Sequence, residues 1–221
     1  HGSIFTPRVA YRYKSDAGDV LRFNVGTGFR VVNLFTEDHA ALTGSRDVVI
    51  LEDLKPEKSY NANLSYLKNW YSENGSVFQL EASTWITYFT NAIFPDYETN
   101  PTKIIYSNLN GNAISKGVSA NLDVNLDSGW KFILGGTSMD VSKTENDIKT
   151  KQMLTESFSG TWAISYTIRP WNLDIDYTGN IYGPMKLPLV SEWDPRKPKS
   201  PTYSIQNIQF TYKGFSKFQI Y

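Results

Sequence analysis

The feature that most constrains this chain is a two-residue alternation in residues 117–136, GVSANLDVNLDSGWKFILGG, which runs unbroken for ten residues, turns within three and then resumes. Apolar residues occupy every second position from Val118 to Leu126, and polar residues fill the positions between them. Successive side chains of a β-strand point to opposite faces of its sheet. The segment therefore predicts a hairpin of two long strands, joined at the turn DSG, with one apolar face and one polar face.

The same alternation recurs along most of the chain. It predicts about ten strands, and several of the alternating runs reach ten residues or more. Soluble proteins average about 5 to 6 residues per strand, whereas a tilted strand needs about 9 to 11 to cross a bilayer. The runs therefore favour strands of membrane-spanning length. Their apolar members lie in residues 9–13, 21–25, 60–66, 78–88, 118–126, 130–134, 158–168, 173–181 and 208–212, and the tenth strand opens at 213–216.

The connections between these strands alternate strictly between short and long. The long ones cover residues 26–58, 91–116, 139–155 and 183–201. Successive connections of an up-and-down meander lie at opposite ends of the strands, so all the long ones are expected at one rim. Short turns at one rim and long loops at the other are typical of outer-membrane barrels. The pattern predicts an all-β, antiparallel up-and-down meander from a transmembrane β-barrel in the bacterial outer membrane, with its apolar face toward lipid and its polar face toward a wet lumen.

Composition excludes several other classes of function. Lysine and arginine total 22 and aspartate and glutamate total 22, so the chain lacks the basic excess expected of a nucleic-acid-binding protein. It contains no cysteine and only two histidines, His1 and His39, without a spaced ligand pair or a nucleophile elbow. We therefore expect no enzymatic activity, no metal site and no cofactor.

Three sequence motifs carry a family resemblance. Phe29 and Arg30 end a strand, a long excursion follows, and the motif LKPE at 54–57 precedes the returning strand with Ser59 and Asn61. This arrangement resembles TonB-dependent outer-membrane receptors. The segments PDYETNPTKIIYSNLNG at 95–111 and IYGPMKLP at 181–188 resemble the same receptors as they occur in Bacteroidetes-type bacteria.

The resemblance implies a barrel of typically 22 strands around an N-terminal plug domain. It also implies uptake of a metal chelate such as a siderophore, of cobalamin or of another scarce nutrient, driven by TonB through the plug. On this interpretation residues 1–221 are one incomplete domain from the C-terminal half of the barrel. Its expected partners are the plug, the remaining strands, outer-membrane lipid and the small-molecule nutrient, with no nucleic acid.

Two groups of residues follow as site candidates. The first comprises polar or aromatic residues of the predicted mouth loops, which are expected to contact ligand: Arg30, Glu37, His39, Tyr97 and Trp193. The second comprises polar residues of the strands, which are expected to face the lumen or the plug: Arg22, Asn63, Glu81, Asn121, Asp123 and Asp174.

Two alternatives from other classes remain open at this point. A closed ten-stranded outer-membrane enzyme or adhesin requires acidic residues and histidine to converge at the loop rim. A soluble carbohydrate-binding β-sandwich requires Val118, Leu122, Phe158 and Ile175 to pack in a dry interior, with its tryptophans serving as stacking platforms.

Overall fold

The computed structural model describes residues 5–31, 47–50, 54–96, 99–100, 102–188 and 195–214. Strands account for most of them, together with one 3-10 turn at Arg169–Trp171. No helix within these described ranges is long and apolar enough to cross a membrane. The strands are β1 Arg8–Lys14, β2 Val20–Arg30, β3 Asp47–Ile50, β4 Glu57–Tyr71, β5 Val77–Asn91, β6 Ile93–Asp96, β7 Lys103–Asn108, β8 Gly111–Asn125, β9 Trp130–Glu145, β10 Ile148–Lys151, β11 Phe158–Ile168, β12 Leu173–Tyr182 and β13 Tyr203–Tyr212.

The main sheet is an antiparallel meander in the order β1-β2-β4-β5-β8-β9-β11-β12-β13. The predicted all-β meander is therefore confirmed. These nine strands correspond to the first nine predicted from the sequence. The tenth predicted strand begins at the edge of the described residues, and residues 215–221 lie outside them. A short strand that the sequence did not predict, β10, completes the sheet by pairing with β9.

The short turns lie side by side at one end of this sheet. The Asp127 N–H donates to Ser76 Oγ at 3.2 Å, which joins the β4–β5 turn to the β8–β9 turn. Arg169 Nη2 donates to the Asp127 carbonyl at 2.9 Å, which adds the β11–β12 turn. Gly75 and Gly129 adopt positive φ angles of 86° and 94°, a backbone region in which a Cβ is unfavourable. Hydrogen bonds between the turns, together with the two glycines, thus hold the short turns together at one end of the meander.

The predicted loop at 139–155 was wrong in its bounds, because most of it is a hairpin. β9 continues to Glu145, and β10 returns after a two-residue turn at Asn146 and Asp147 with φ angles of 49° and 62°. Two consecutive positive φ angles are those of a type I′ hairpin turn, which Asn and Asp tolerate. Most residues between 140 and 151 are polar. The sequence therefore shows no regular alternation of apolar and polar residues that would mark this hairpin.

The predicted irregular connections at 26–58 and 91–116 are also partly ordered. β3, β7 and β6 form a second sheet, with β3 parallel to β7 and β6 antiparallel to it. We call it the loop sheet. Ile93, Ile104 and Tyr106 form its buried core, with Val48 and Leu54 packed against them.

Cross-strand register separates the main sheet into an apolar face and a polar face. On the apolar face, Leu80, Leu122, Leu134 and Trp162 lie opposite one another in a continuous row across four strands. On the polar face, the matching row is Ser65, Ser83, Ser119, Thr137 and Ser159.

The apolar face is open to the surroundings. Val118 is 56% exposed and Phe158 is 39% exposed, while Leu122 and Ile175 are half-buried. The main sheet as described therefore does not supply the dry interior that the soluble sandwich alternative requires. The buried apolar side chains belong chiefly to the loop sheet and the segments beside it.

Candidate functional site

The six residues predicted to face the lumen share the polar face of the main sheet. Glu81 lies directly opposite Asn121, and Asp123 lies opposite Gln79. Asn63 Oδ1 accepts a hydrogen bond of 2.9 Å from Asn24 Nδ2. The remaining two are placed by register: Arg22 opposite Ser65, and Asp174 between Thr167 and Thr211.

Side chains on this face interact across strands. The Ser83 and Ser119 hydroxyl oxygens are 2.8 Å apart. At the end near the short turns, the Asp174 carboxylate forms an ion pair with the Lys213 ammonium. The polar face, which we call the wall, therefore carries cross-strand hydrogen bonds as well as positively and negatively charged side chains.

Trp85 is a polar-face residue that the sequence analysis missed. Its indole lies over Gly117 on the neighbouring strand, where an added Cβ would be 2.4 Å from the ring and 2.7 Å from the Ser138 carbonyl oxygen. Position parity with Ser83 and Thr87 was the signal that could have placed it there. The wall therefore includes an aromatic surface.

The LKPE motif anchors the loop sheet to the end of this wall. Glu57, 7% exposed, accepts a 2.6 Å hydrogen bond at Oε2 from Arg30 Nε. Its other oxygen, Oε1, accepts the Ile93 N–H at 3.0 Å. One carboxylate thus joins β2, β4 and the start of β6.

Two asparagines hold the rest of the motif. Asn108 binds the Lys55 backbone twice, since its Oδ1 accepts the Lys55 N–H at 2.8 Å and its Nδ2 donates to the Lys55 carbonyl at 2.9 Å. Asn91 Nδ2 donates to the Pro56 carbonyl at 2.8 Å. Asn108 Nδ2 also donates to Asn91 Oδ1 at 3.1 Å, which links β7 to β5. These hydrogen bonds therefore join the two long connections, residues 26–58 and 91–116, into one structure.

A cavity of about 680 Å³ lies between the loop sheet and the β9–β10 hairpin. We call it the mouth cavity. Lys143 Nζ stands 5.5 Å from the Phe94 ring centroid and 3.5 Å from Glu145 Oε2. Since Lys143 and Glu145 follow Gly135 and Thr137 at alternate positions of β9, the cavity opens on the polar-face side. Its lining mixes apolar residues such as Leu109, Ile148 and Met153 with charged residues such as Asp96, Lys143 and Lys186.

The structure places one of the five predicted ligand contacts. Arg30 lies at the rim, with its side chain 56% exposed and its Nε engaged by Glu57. Glu37, His39, Tyr97 and Trp193 lie outside the described residues. Among the residues that are described, no three histidine or acidic side chains are grouped so that they could hold a metal ion.

Comparison with known proteins identifies relatives of the whole chain. Residues 1–221 match the family described as TonB dependent receptor-like, beta-barrel. No curated protein sequence matches the chain.

Several solved structures share the fold. The pyoverdine outer membrane receptor FpvA from Pseudomonas aeruginosa PAO1, bound to pyoverdine, superposes with a TM-score of 0.69 at 15% identity, covering 97% of this chain and 30% of that one. The ferric yersiniabactin uptake receptor FyuA from Yersinia pestis gives 0.64 at 14% identity, with coverages of 96% and 30%. The copper transporter OprC gives 0.69 at 12% identity, with coverages of 97% and 32%. The chain thus spans about a third of the length of these relatives.

Proposed function

The chain belongs to the TonB-dependent receptor β-barrel family, and from that membership we propose that it forms part of the barrel of an outer-membrane receptor for active uptake of a scarce nutrient. Receptors of this family reside in the bacterial outer membrane. The two-faced sheet is the observation that carries the proposal. An exposed apolar face suits hydrocarbon, and a hydrogen-bonded polar face suits a wet interior.

Strand lengths support this placement in a membrane. β4, β5 and β8 each have 15 residues. At about 3.3 Å per residue and a tilt of about 40°, such strands rise roughly 38 Å, which exceeds an apolar band of about 25 Å. The extra length projects beyond lipid on the side of the long connections and carries the loop sheet.

We assign the polar face to contact with the plug domain. Arg22, Asn63, Glu81, Asn121, Asp123 and Asp174 are the proposed contacts, and TonB acts through that plug. The remaining barrel strands are the other protein partner. These residues present hydrogen-bonding groups on rigid strands, which suits an interface that must be wet and reversible.

The mouth cavity is the proposed place of first contact with the nutrient. Its volume, about 680 Å³, is in the range of small-molecule sites. The Lys143 ammonium beside the Phe94 ring favours a ligand with anionic and apolar or aromatic parts, such as a metal chelate. Arg30, Glu37, His39, Tyr97 and Trp193 are the proposed further contacts at the rim, and the two solved receptors and the copper transporter named above support nutrients of the siderophore and metal classes.

Uptake by a strain lacking the gene for the complete receptor tests this function. The probes are labelled ferric siderophores, cobalamin and copper. We expect uptake of one of them to fall at least tenfold and to return with the wild-type gene. Unchanged uptake of every probe, or recovery of the receptor in the soluble fraction without detergent, would contradict the proposal.

The mouth cavity is tested in the same strain with Lys143→Ala. Loss of the ammonium should raise the half-saturation concentration for uptake about threefold or more while surface levels stay constant. Lys131→Ala, on the polar face at the opposite end of β9, is the matched control. An equal effect of the two substitutions would show that the mouth cavity does not bind the nutrient.

A further inference from the structure

We propose that two copies of the complete receptor associate side by side in the membrane through a polar patch on the apolar face of β12 and β13. The patch consists of Tyr177, Ser204 and Gln206, and we call it the lateral patch. The inference rests on the proposed placement of the main sheet in the outer membrane. It concerns the outside of the barrel, and none of the three residues lines the mouth cavity.

Cross-strand register places the lateral patch on the apolar face. Gln206 lies opposite Gly179, and Gly179 lies opposite Trp162, which belongs to the apolar row across the main sheet. Tyr177 and Ser204 are each two positions from these residues along the same strands, so their side chains point to the same side. All three residues of the patch are exposed.

The lateral patch lies at the depth of the hydrocarbon. β13 ends at Tyr212 beside the short turns, where the Lys213 N–H donates to the Asn172 carbonyl at 2.7 Å. Gln206 and Ser204 precede Tyr212 by six and eight residues. At about 3.3 Å per residue and a tilt of about 40°, they lie about 15 Å and about 20 Å above the inner end of the strand. The apolar band of an outer-membrane barrel is about 25 Å tall, so both positions fall within it.

The lateral patch keeps hydrogen-bonding groups to spare. Tyr177 Oη donates to Gln206 Oε1 at 2.6 Å, and Gln206 Nε2 donates to Ser204 Oγ at 3.0 Å. A primary amide has two N–H donors, and its oxygen accepts two hydrogen bonds. One N–H and one acceptor position of Gln206 therefore remain, as does the Ser204 hydroxyl hydrogen, when only the described residues are counted. Hydrocarbon offers these groups no partner, and a polar group left unsatisfied in it is costly.

Neighbouring parts of the apolar face do not share this property. The Thr84 hydroxyl, also on this face, donates to the Gly117 carbonyl at 3.1 Å and so is satisfied within the sheet. On β13 itself, Ile208 is 62% exposed and Phe210 is 52% exposed on the side of the short turns. Lipid suits these side chains, whereas the lateral patch calls for a polar partner.

Trp162 supports the lateral patch from behind. Its ring centroid is 6.0 Å from that of Tyr177, and its indole lies over Gly179, where an added Cβ would meet the ring and the Ile205 carbonyl oxygen. Trp162 Nε1 is itself buried without a hydrogen-bond partner in the part of the chain that the structure describes. The patch is thus held in place before association, which lowers the entropic cost of binding a partner.

A second copy of the receptor supplies the partner that these groups need. In a dimer whose two-fold axis is parallel to the membrane normal, the same residue of each copy meets at the same depth. The remaining Gln206 N–H of each copy can donate to the remaining acceptor position of Gln206 in the other, because a primary amide is self-complementary. The Ser204 hydroxyls can bond to each other in the same way. Two curved barrels touch along a narrow strip, and the patch occupies only two adjacent strands.

Disulfide formation in outer membranes tests this geometry. The 221 residues contain no cysteine, and any cysteine elsewhere in the complete receptor is replaced by serine. We expect Ser204→Cys to give a covalent dimer as the main product of mild oxidation, because residues beside a two-fold axis approach their own copies. Val118→Cys, exposed on the same face of β8, is the matched control and should stay monomeric. A disulfide to a different protein, or equal dimer yields from the two variants, would overturn the proposal.

Sizing of the detergent-solubilised receptor measures the strength of association. Gln206→Leu should raise the dimer Kd at least tenfold, since two reciprocal hydrogen bonds are lost and each contributes about threefold or more in a membrane. Leucine suits a lipid-facing position, so this variant should fold and take up nutrient as the wild type does. Thr84→Leu, which also removes a polar group from the apolar face, should keep the Kd within twofold.

A monomeric wild type, or the same Kd in the wild type and Gln206→Leu, would refute the dimer. Nutrient uptake is measured on the same strains. Absence of uptake with the dimer intact would contradict the receptor function alone and leave this inference standing.

Discussion

At the scale of single residues, Glu57 has the most distinctive surroundings. Its buried carboxylate accepts hydrogen bonds from Arg30 and from the Ile93 backbone. A carboxylate that accepts both a guanidinium and an N–H is held by charge-assisted bonds, which are stronger than neutral ones. Glu57 therefore sets the position at which the loop sheet meets the barrel wall.

The variant Glu57→Ala should loosen this junction. The buried Ile93 N–H would lose its acceptor, at a cost of about 1 to 3 kcal/mol. We expect the Ile93 amide to exchange with deuterium at least fivefold faster in the complete receptor, while amides in the centre of β8 keep their rates. Glu81→Ala, on the same face, is the control, and equal Ile93 exchange in both variants would contradict the role of Glu57.

Gly117 gives a second test at this scale. Alanine there would place a Cβ against the Trp85 ring and the Ser138 carbonyl, and overpacking of this kind costs about 1 to 3 kcal/mol. Gly136→Ala is a matched control, because an added Cβ at Gly136 meets nothing within 4 Å. We expect Gly117→Ala alone to lower the urea midpoint of unfolding. Equal midpoints would show that Trp85 can move aside at little cost.

At the scale of elements, the β9–β10 hairpin connects turn chemistry to the mouth cavity. Asn146 and Asp147 both have positive φ, and Asn146 lines the cavity. Glycine is the preferred second residue of such a turn. Asp147→Gly should therefore slow amide exchange in β10, and Asp147→Val should accelerate it. The same rate in both variants would exclude the type I′ turn.

The main-sheet strands could be predicted from the sequence, whereas the loop sheet could not. Long strands with strict alternation were predictable, because parity alone assigns each residue of β8 to a face. The same parity placed Arg22, Asn63, Glu81, Asn121, Asp123 and Asp174 together. The loop sheet was not predictable, since β3 has only four residues and pairs in parallel with a strand far along the chain. The mouth cavity is lined by residues of β6, β7 and the β9–β10 hairpin that are far apart in the chain, so they could not be inferred from local patterns.

At the scale of the whole molecule, the proposed placement in the outer membrane puts lipid against one face of the main sheet and water against the other. Because this chain has no cysteine, single substitutions can carry a spin label at chosen positions. Val118→Cys should be accessible to oxygen, which dissolves in lipid. Ser119→Cys, one position away, should be accessible to a water-soluble nickel chelate. Identical accessibility of the two labels in reconstituted membranes would refute the assignment of the faces.

The parallel pairing of β3 with β7 has a consequence for engineering. The connection at 26–58 supplies β3 and the connection at 91–116 supplies β7, and these two strands pair with each other. Asn108, in the second connection, also accepts the Lys55 N–H of the first. Exchanging one surface segment with that of a homologue would leave the recipient with half of a module. Chimeric receptors with altered ligand choice will therefore need both segments transplanted as a pair.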